Sequence, residues 1–382
     1  MLRAAIIGCG FMGSTHTEAL RRLGIPVAGL CGIDPEESQN AARHLNLETA
    51  YRSFEQVLTD PGVDVVHLCT PNFLHYSMAK AALQAGKHVL CEKPVANTST
   101  EAAEMVKLEK DAKRVGAVNY NLRFYPLNQE ARARIAANDL GEIRIIHGEY
   151  CQDWLFLPSD WNWRLEPHLG GSLRVVADIG THWMDAVTWL TGLEIRSVCA
   201  DFATFLPTRY KPKRAVETFA GKLSTKIEGD PVEIKTEDYA SILFKFSKGA
   251  RGALTLSQVS AGRKNNFWWE LNGSKSSMSW RQENPNELWI GYREKPNEFL
   301  IKDPSLMRPA ARPVAAYPGG HAEGYPDTFA QLFKAFYSYI AADDFGKPRP
   351  FATFEDGRRE LVLCEAIQRS AEERRWIEVV YS

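Results

Sequence analysis

No apolar run in this sequence approaches the ~20 residues that cross a bilayer as a helix, so no membrane partner is expected. An excess of positive charge is missing too: 46 lysines and arginines stand against 47 aspartates and glutamates, for a net charge of −1. So balanced a chain lacks the strongly basic footprint of a nucleic-acid binder. The seven cysteines are odd in number and form no CxxC pair, which argues against a disulfide frame. Cys9, Cys31, Cys69 and Cys91 each stand at or near the end of an expected buried strand. There they suit small packed thiols in a reducing compartment. The N-terminal MLRAAIIGCG moves straight into a strand and a glycine turn, without the apolar core and cleavage site of a secretory signal. The expected location is therefore the cytoplasm. Internal repeats and low-complexity tracts are absent as well.

What is there is a globular composition, 45% apolar and 24% charged, spread over 382 residues. That length exceeds one ordinary core and implies two domains. Strand-like runs at 2–8, 27–32, 63–69, 87–92 and 116–121 alternate with helical patterns near 14–23, 35–46, 75–85 and 100–115. These strands are apolar throughout rather than alternating, which marks a parallel sheet covered on both faces. The expectation is an α/β Rossmann domain, a doubly wound parallel sheet, over residues 1–122.

Beyond residue 122 the texture becomes α+β, and residues 123–382 are expected to form a second domain. A helix at 127–137, a strand at 142–151 and a Trp-rich stretch at 154–169 precede a helix that ends near Gly192. A strand at 195–203 follows, then a long surface loop at 207–235, then hairpin signals with turns at Ser247–Gly249 and Asn272–Gly273. Helices at about 326–342 and 356–373 close the chain, the last of them able to pack back on the first domain.

Gly8-Cys9-Gly10-Phe11-Met12-Gly13 directly follows the first strand and opens a helix. The first glycine allows a tight turn, the second a close backbone approach to a pyrophosphate, and the third a close helix–strand contact. The strand–turn–helix setting, with four further β/α steps, reads as dinucleotide binding. The second strand should then end in an acid for the adenosine ribose, but Gly32 takes that place and Asp34 lies two further on. Asp34 is the provisional ribose ligand. Asp34, Glu36 and Glu37, with no basic residue adjoining them, favour NAD over NADP.

Glu92-Lys93-Pro94 ends the fourth strand, at the sheet edge where open α/β folds bind ligands. Residues 176–187, VADIGTHWMDAV, carry Asp178, His182 and Asp185 at helical spacings of four and three. On the residues alone this is a metal site, a satisfied structural network or an acid–base pair. A metal would need a fuller convergent set, and no second His/Cys cluster supplies one.

The chain resembles the Gfo/Idh/MocA oxidoreductase family through GCGFMG (8–13), TPNFLH (70–75), AGKHVLCEKP (85–94) and DIGTHWMD (178–185), in that family's order and approximate spacing. None of the four is specific alone; together they are, and the resemblance covers nearly the whole chain. It implies an N-terminal Rossmann domain and a C-terminal open, mainly antiparallel sheet that commonly forms the interface of a homo-oligomer, a dimer or tetramer. It also implies that Lys93 contacts cofactor and substrate, that Asp178 and His182 complete the catalytic set, and that the Lys93–Pro94 bond is often cis. Thr70, Pro71, Asn72 and His75 match positions that line the cofactor site, with Glu92 beside them. Gly32 is the departure from the family pattern.

With the nucleotide fold and Lys93, the functional reading of the 178–185 segment becomes the preferred one. His182 would be the general base, Asp178 would orient and stabilise it, and Lys93 would stabilise the developing alkoxide; Asp185 would be structural. A start of the helix near Asp178 would favour a neutral His182. Trp163, Arg164 and His168 lie in DWLFLPSDWNWRLEPHLGGS (153–172), and Arg123 and Tyr125 in NYNLRFYP. Aromatic walls with a few fixed polar groups suit a sugar. Arg123 and Arg164 could hold an anionic substituent, but surface or interdomain salt bridges are the preferred reading for either one. The function expected is oxidation of a secondary ring hydroxyl, C3 being one case, of a sugar, cyclitol or glycoside. Two alternatives stand: an NAD-recycling glycosidase, which would suit a sulfonated sugar and draw on Tyr120, Tyr125 or His168, and a non-catalytic ligand-binding regulator.

Overall fold

The computed structural model describes residues 1–213 and 229–381. Two compact units emerge, the first comprising residues 1–121, 168–171 and 326–361, and the second 122–167, 172–325 and 362–382.

In the first unit the short runs β1 (Ala4–Ile7), β2 (Val27–Cys31), β3 (Val65–Leu68), β4 (His88–Cys91) and β5 (Gly116–Val118), buried throughout except at Val27, form a parallel sheet in the order β2-β1-β3-β4-β5. Its covering helices are α1 (Phe11–Arg22), α2 (Pro35–His44), α3 (Phe54–Thr59), α4 (His75–Gln84) and α5 (Ser99–Ala112). Local chemistry sets their starts: Asp34 caps α2 with Pro35 at its first position, and Thr98 with Glu101 forms a capping box on α5. The short α3 was not legible in the sequence. The core gathers Ile7, Val66, Leu68, Val89 and Met105.

The second unit begins with α6 (Pro126–Ala136) and β6 (Ile143–Cys151). The short α7 (Pro167–Gly170) precedes α8 (Thr181–Thr191) and β7 (Ile195–Ala203). A two-stranded ribbon of β8 (Thr208–Lys211) and β9 (Asp230–Glu233) stands within the expected 207–235 loop, whose residues 214–228 lie outside the described ones. Then follow β10 (Tyr239–Phe246), β11 (Arg251–Ser257), β12 (Asn266–Gly273), β13 (Ser277–Arg281), β14 (Glu287–Gly291) and β15 (Glu298–Ile301). Next, α9 (Tyr325–Ala342), except its first residue, and the start of α10 (Phe354–Glu373) belong to the first unit, and after α10 the chain adds β16 (Ile377–Glu378) to the second unit's sheet. The order is β15-β14-β13-β12-β6-β11-β10-β7-β16, antiparallel except where β11 pairs with β6.

Alternation decides which face of this sheet is core. Ala240, Ile242, Phe244 and Phe246 on β10, and Phe267, Trp269 and Leu271 on β12, point into a cluster shared with Trp183, Met184 and Val187 of α8. The turn expected at Asn272–Gly273 falls later, at 274–276. Gly273 remains in β12 because its bare Cα packs against the Leu140 carbonyl, where a Cβ would collide. The helix expected at 356–373 begins at Phe354 and feeds two cores, Phe354 and Leu361 joining the first and Leu363, Cys364 and Ile367 the second. Among the described residues no helix is long and apolar enough to cross a membrane.

Candidate active site

The candidate nucleotide-binding residues of the first unit start at its first turn. Gly8 leaves β1 with a φ of +105°, and a side chain there would press on the Cys69 carbonyl oxygen at 2.5 Å. Gly13 packs on the Gly8 carbonyl with no room for a Cβ. Between them, a Cβ on Gly10 would meet nothing within 4 Å, so the concavity in front of α1 is open. Gly10 caps α1 without a side-chain acceptor, and the first turn, beginning Phe11-Met12, holds no acid. Backbone donors with no competing carboxylate are what a pyrophosphate requires.

Thr70 and Pro71 leave the carboxyl end of β3. The buried Thr70 Oγ1 has no hydrogen-bond partner among the described residues, an orphaned hydroxyl of the kind a bound cofactor satisfies. Asn72 donates through Nδ2 to the Gly170 carbonyl at 3.0 Å, holding the 168–171 segment. His75 is buried with its ring nitrogens 2.8 Å from the carbonyls of Thr70 and Pro94, tying the loop after β3 to the loop after β4. These two side chains position the loops that line the site. Lys93 is half-buried just past β4, and its bond to Pro94 is cis. Beside it Glu92 is buried and accepts from His16 Nε2 at 3.0 Å and from Asn119 Nδ2. Burial, the largest influence on Glu92, works to raise its pKa; the His16 hydrogen bond and charge, then Lys93 and Asn119, outweigh it and keep the carboxyl below its usual range.

At the end of β2, Asp34 Oδ1 accepts from Glu37 N at 2.8 Å and so acts as a helix cap. Glu37 turns back, its Oε2 accepting from Ile33 N at 2.6 Å, beside the bare Cα of Gly32. The strand end therefore presents two carboxylates, and Glu37 joins Asp34 as a candidate ribose ligand. No pattern in the sequence separated Glu37 from the other acids there. Negative charge at this point opposes a 2′-phosphate. Cys9 lies against the same carboxylates; burial, followed by Glu37, Cys31 and Asp34, pushes its thiol up to about 12, so it is an inert packing group.

The second unit, taken by itself, carries Arg123, Tyr125, Trp163, Arg164, Asp178 and His182, whereas His168 belongs to the first. Residues Val176–Gly180 form a π turn in which Thr181 N donates to the Val176 carbonyl five residues back, and α8 continues from it. Such widened turns recur at functional sites because they re-aim side chains. Asp178 lies in the first turn of this helical run and His182 one turn further. The helix dipole, which fades after the first turn, thus acts on Asp178 more than on His182, correcting the sequence expectation. Asp178 Oδ1 accepts from Arg164 Nε at 3.0 Å, and Oδ2 accepts from Gln258 Nε2 at 2.8 Å. His182 is buried, and the Tyr150 ring stands 6.2 Å from it. Tyr150 donates to Asn265 Oδ1 at 2.7 Å, and burial, then the negative potential of Tyr325, Asp178 and Tyr125, holds its hydroxyl protonated.

Two arginines offered to an anionic substituent form salt bridges, the other reading of each. Arg123 grips Asp185 with both prongs of its fork, Nε to Oδ2 at 2.9 Å and Nη2 to Oδ1, in a buried pair. It locks α8 and is not available to an anionic substrate; the same contact explains Asp185. Arg164 pairs with Asp178 and stacks on Trp163, its Cζ 4.4 Å from the ring centre, so its charge is likewise committed. Tyr125, also buried, caps α6 and packs 4.8 Å from the Trp280 ring centre. His168 is exposed on α7. Tyr150, on β6, and Gln258, just past the end of β11, were missed because no local motif marks either one. Among the described residues no group of three or more His, Cys, Asp or Glu could hold a metal ion.

Comparison with known proteins matches residues 2–120 to the GFO/IDH/MocA model described as an oxidoreductase family with an NAD-binding Rossmann fold, and residues 128–279 to the GFO/IDH/MocA C-terminal domain. Levoglucosan dehydrogenase of Pseudarthrobacter phenanthrenivorans is 29% identical over 391 residues, covering 99% of this chain and 98% of that protein. A solved levoglucosan dehydrogenase in complex with NADH and L-sorbose superposes with a TM-score of 0.88 at 28% identity, over 100% of this chain and 99% of the other. An oxidoreductase domain protein from Kribbella flavida gives 0.87 at 31% identity, over 99% of each chain.

Proposed function

The chain belongs to the GFO/IDH/MocA oxidoreductase family, and from that premise we propose that it oxidises a secondary ring hydroxyl of a sugar, cyclitol or glycoside, C3 of a pyranose being the position to test first. The observation that carries this reading is the π turn that sets Asp178, held by Arg164 and Gln258, one turn before His182. NAD, the cofactor of the family's Rossmann fold, supplies the hydride acceptor when bound. Gly8, Gly10, Gly13 and the α1 N-terminus would hold its pyrophosphate, Asp34 and Glu37 its ribose, and Thr70 would give its hydroxyl to the bound molecule.

His182 is the proposed general base that removes the hydroxyl proton. Asp178, ionised between two donors, stabilises the imidazolium that results. Lys93 is the cation that stabilises the developing alkoxide. Trp163 with its stacked Arg164 offers a flat wall to a sugar ring. A homo-oligomer is part of the proposal, its interface the outer face of the nine-stranded sheet. There Ile145, Leu243 and Phe299 are 51%, 51% and 65% exposed.

A redox-neutral glycosidase would need a further base and acid, and an anionic sugar would need an uncommitted arginine. The pairing of Arg123 with Asp185 and of Arg164 with Asp178 weighs against that reading. The test is incubation with NAD, a sugar panel including levoglucosan, and aryl glycosides, recording NADH and aglycone separately. Net NADH supports the dehydrogenase; aglycone release without net NADH overturns it in favour of the glycosidase; binding without turnover leaves only a regulator.

A further inference from the structure

Four titratable side chains of the first unit, three of them unused by the chemistry above, lie in one line. Glu92 Oε1 is 3.0 Å from His16 Nε2, His16 Nδ1 is 3.0 Å from His67 Nδ1, and His67 Nε2 is 2.9 Å from the Tyr337 hydroxyl. All four are buried. Phe333 seals the two imidazoles at ring distances of 4.8 and 4.9 Å, and Phe329 covers His16 at 5.7 Å. The line draws on α1, β3, α9 and the end of β4, and it starts one peptide unit from Lys93.

Donor and acceptor rules permit two arrangements. A carboxylate only accepts, so His16 Nε2 carries a hydrogen. With His16 neutral, its Nδ1 accepts from His67 Nδ1–H, and His67 Nε2 accepts from the Tyr337 hydroxyl. With His16 protonated, its Nδ1–H donates to His67 Nδ1, and His67 Nε2–H donates to the Tyr337 oxygen. The links between His16 and Tyr337 therefore reverse together or not at all, which makes the array a unit rather than three contacts. His67 is neutral in both, since burial first and His16 second hold its pKa far below the usual histidine range.

We propose that Glu92, His16, His67 and Tyr337 form one positioning array for Lys93, fixing the Glu92 carboxylate beside which the lysine ammonium is set. The proposal rests on the reading of Lys93 as a catalytic residue. His16, His67 and Tyr337 are positioning residues, because they act through Glu92. The groups facing the array are Lys93 and Asn119 at its head, the Cys69 and Cys91 thiols beside Glu92, and Asp64 toward Tyr337. Burial, the first cause for each, pushes both thiols well above the usual cysteine range.

The test uses the full chain, labelled with ¹⁵N-histidine, and Tyr337→Phe, which removes one oxygen at the far end. Imidazole ¹⁵N shifts of both His67 and His16 should move, although only His67 touches Tyr337. Glu92→Gln, which keeps the shape and removes the charge, should lower kcat by roughly ten-fold and shift the kcat–pH profile, with KM for NAD changing less. The substrate is whichever sugar gives the highest rate in the panel above. Unmoved His16 signals in Tyr337→Phe overturn the single array. Wild-type kcat and pH profile in Glu92→Gln, with Lys93→Ala inactive, overturn its role toward Lys93. Full turnover in Lys93→Ala overturns the catalytic reading itself and with it the purpose of the array. Should Tyr337→Phe fail to fold, Glu92→Gln gives the converse readout: the His67 ¹⁵N shifts should move although Glu92 bonds to His16 and not to His67, and unmoved His67 signals overturn the single array.

Discussion

Replacing Asp185 by Leu should cost the second unit far more than it costs the chemistry. The Arg123 and Asp185 side chains are 8% and 3% exposed, and the guanidinium forks both carboxylate oxygens. Removing one partner strands the other charge in a poorly solvated site, which costs about 3–5 kcal/mol. Removing both, as Arg123→Met with Asp185→Leu, replaces a desolvated pair by apolar contacts of similar volume and should recover most of that loss. For a unit of this size each kcal/mol moves the melting temperature by about 2–4 °C, so Asp185→Leu should lower it by roughly 6–20 °C. Thermal unfolding followed by circular dichroism, with steady-state NADH production measured well below the transition, separates the two effects. Retained turnover in the double variant is expected, since neither residue is given a chemical step. A single variant within about 1 kcal/mol of wild type refutes the buried-pair argument. Loss of turnover in a double variant that melts normally would return Arg123 to the substrate.

Lys93→Ala and His182→Ala should each abolish turnover while NAD still binds, read by quenching of tryptophan fluorescence on NAD titration; full activity in either removes that residue from the mechanism. Gly13→Ala should abolish NAD binding or folding, because its methyl group would meet the Gly8 carbonyl, and wild-type affinity would disprove the close approach. His88 gives a pH prediction: burial first, then Arg114, lowers its pKa to about 4, and its Nδ1 accepts from Val115 N at 2.9 Å. The unfolded chain binds this proton below about pH 6.5 and the folded one only below about 4, so the contribution is complete above 6.5 and is lost as pH falls to 4. It amounts to roughly 2–4 kcal/mol. Urea midpoints should fall over that window in the wild type and less so in His88→Asn, and equal slopes would refute the assignment.

The nucleotide half was legible because its signals are local. Gly8, Gly10 and Gly13 mark backbone constraints that exist within one turn, and Lys93 follows from a strand end and a proline. Asp34 misled in part, since a residue two beyond a strand is also where a helix cap belongs, and the cap is what forms. Arg123 and Asp185 were each visible but not their pairing, because 62 residues separate them and no periodicity connects a helix entry to the face of another helix. Nor does spacing betray a π turn: a step of four from Asp178 to His182 reads as an α-helical face, whereas the Thr181 N–H bonds to the Val176 carbonyl five residues back.

The sequence by itself determined what short-range sterics and patterning control: the parallel sheet from unbroken apolar runs, the half-buried second sheet from alternation, and the anion-binding turn from three glycines. Only the tertiary structure decided which charges are committed. It gave Arg164 to Asp178, Arg123 to Asp185 and His16 to Glu92, and it left the Thr70 hydroxyl without a hydrogen-bond partner among the described residues. The reason is physical: a side chain's type states what it can bind, but its partner is set by which distant groups share its desolvated surroundings, and that information exists only once the chain has closed around them.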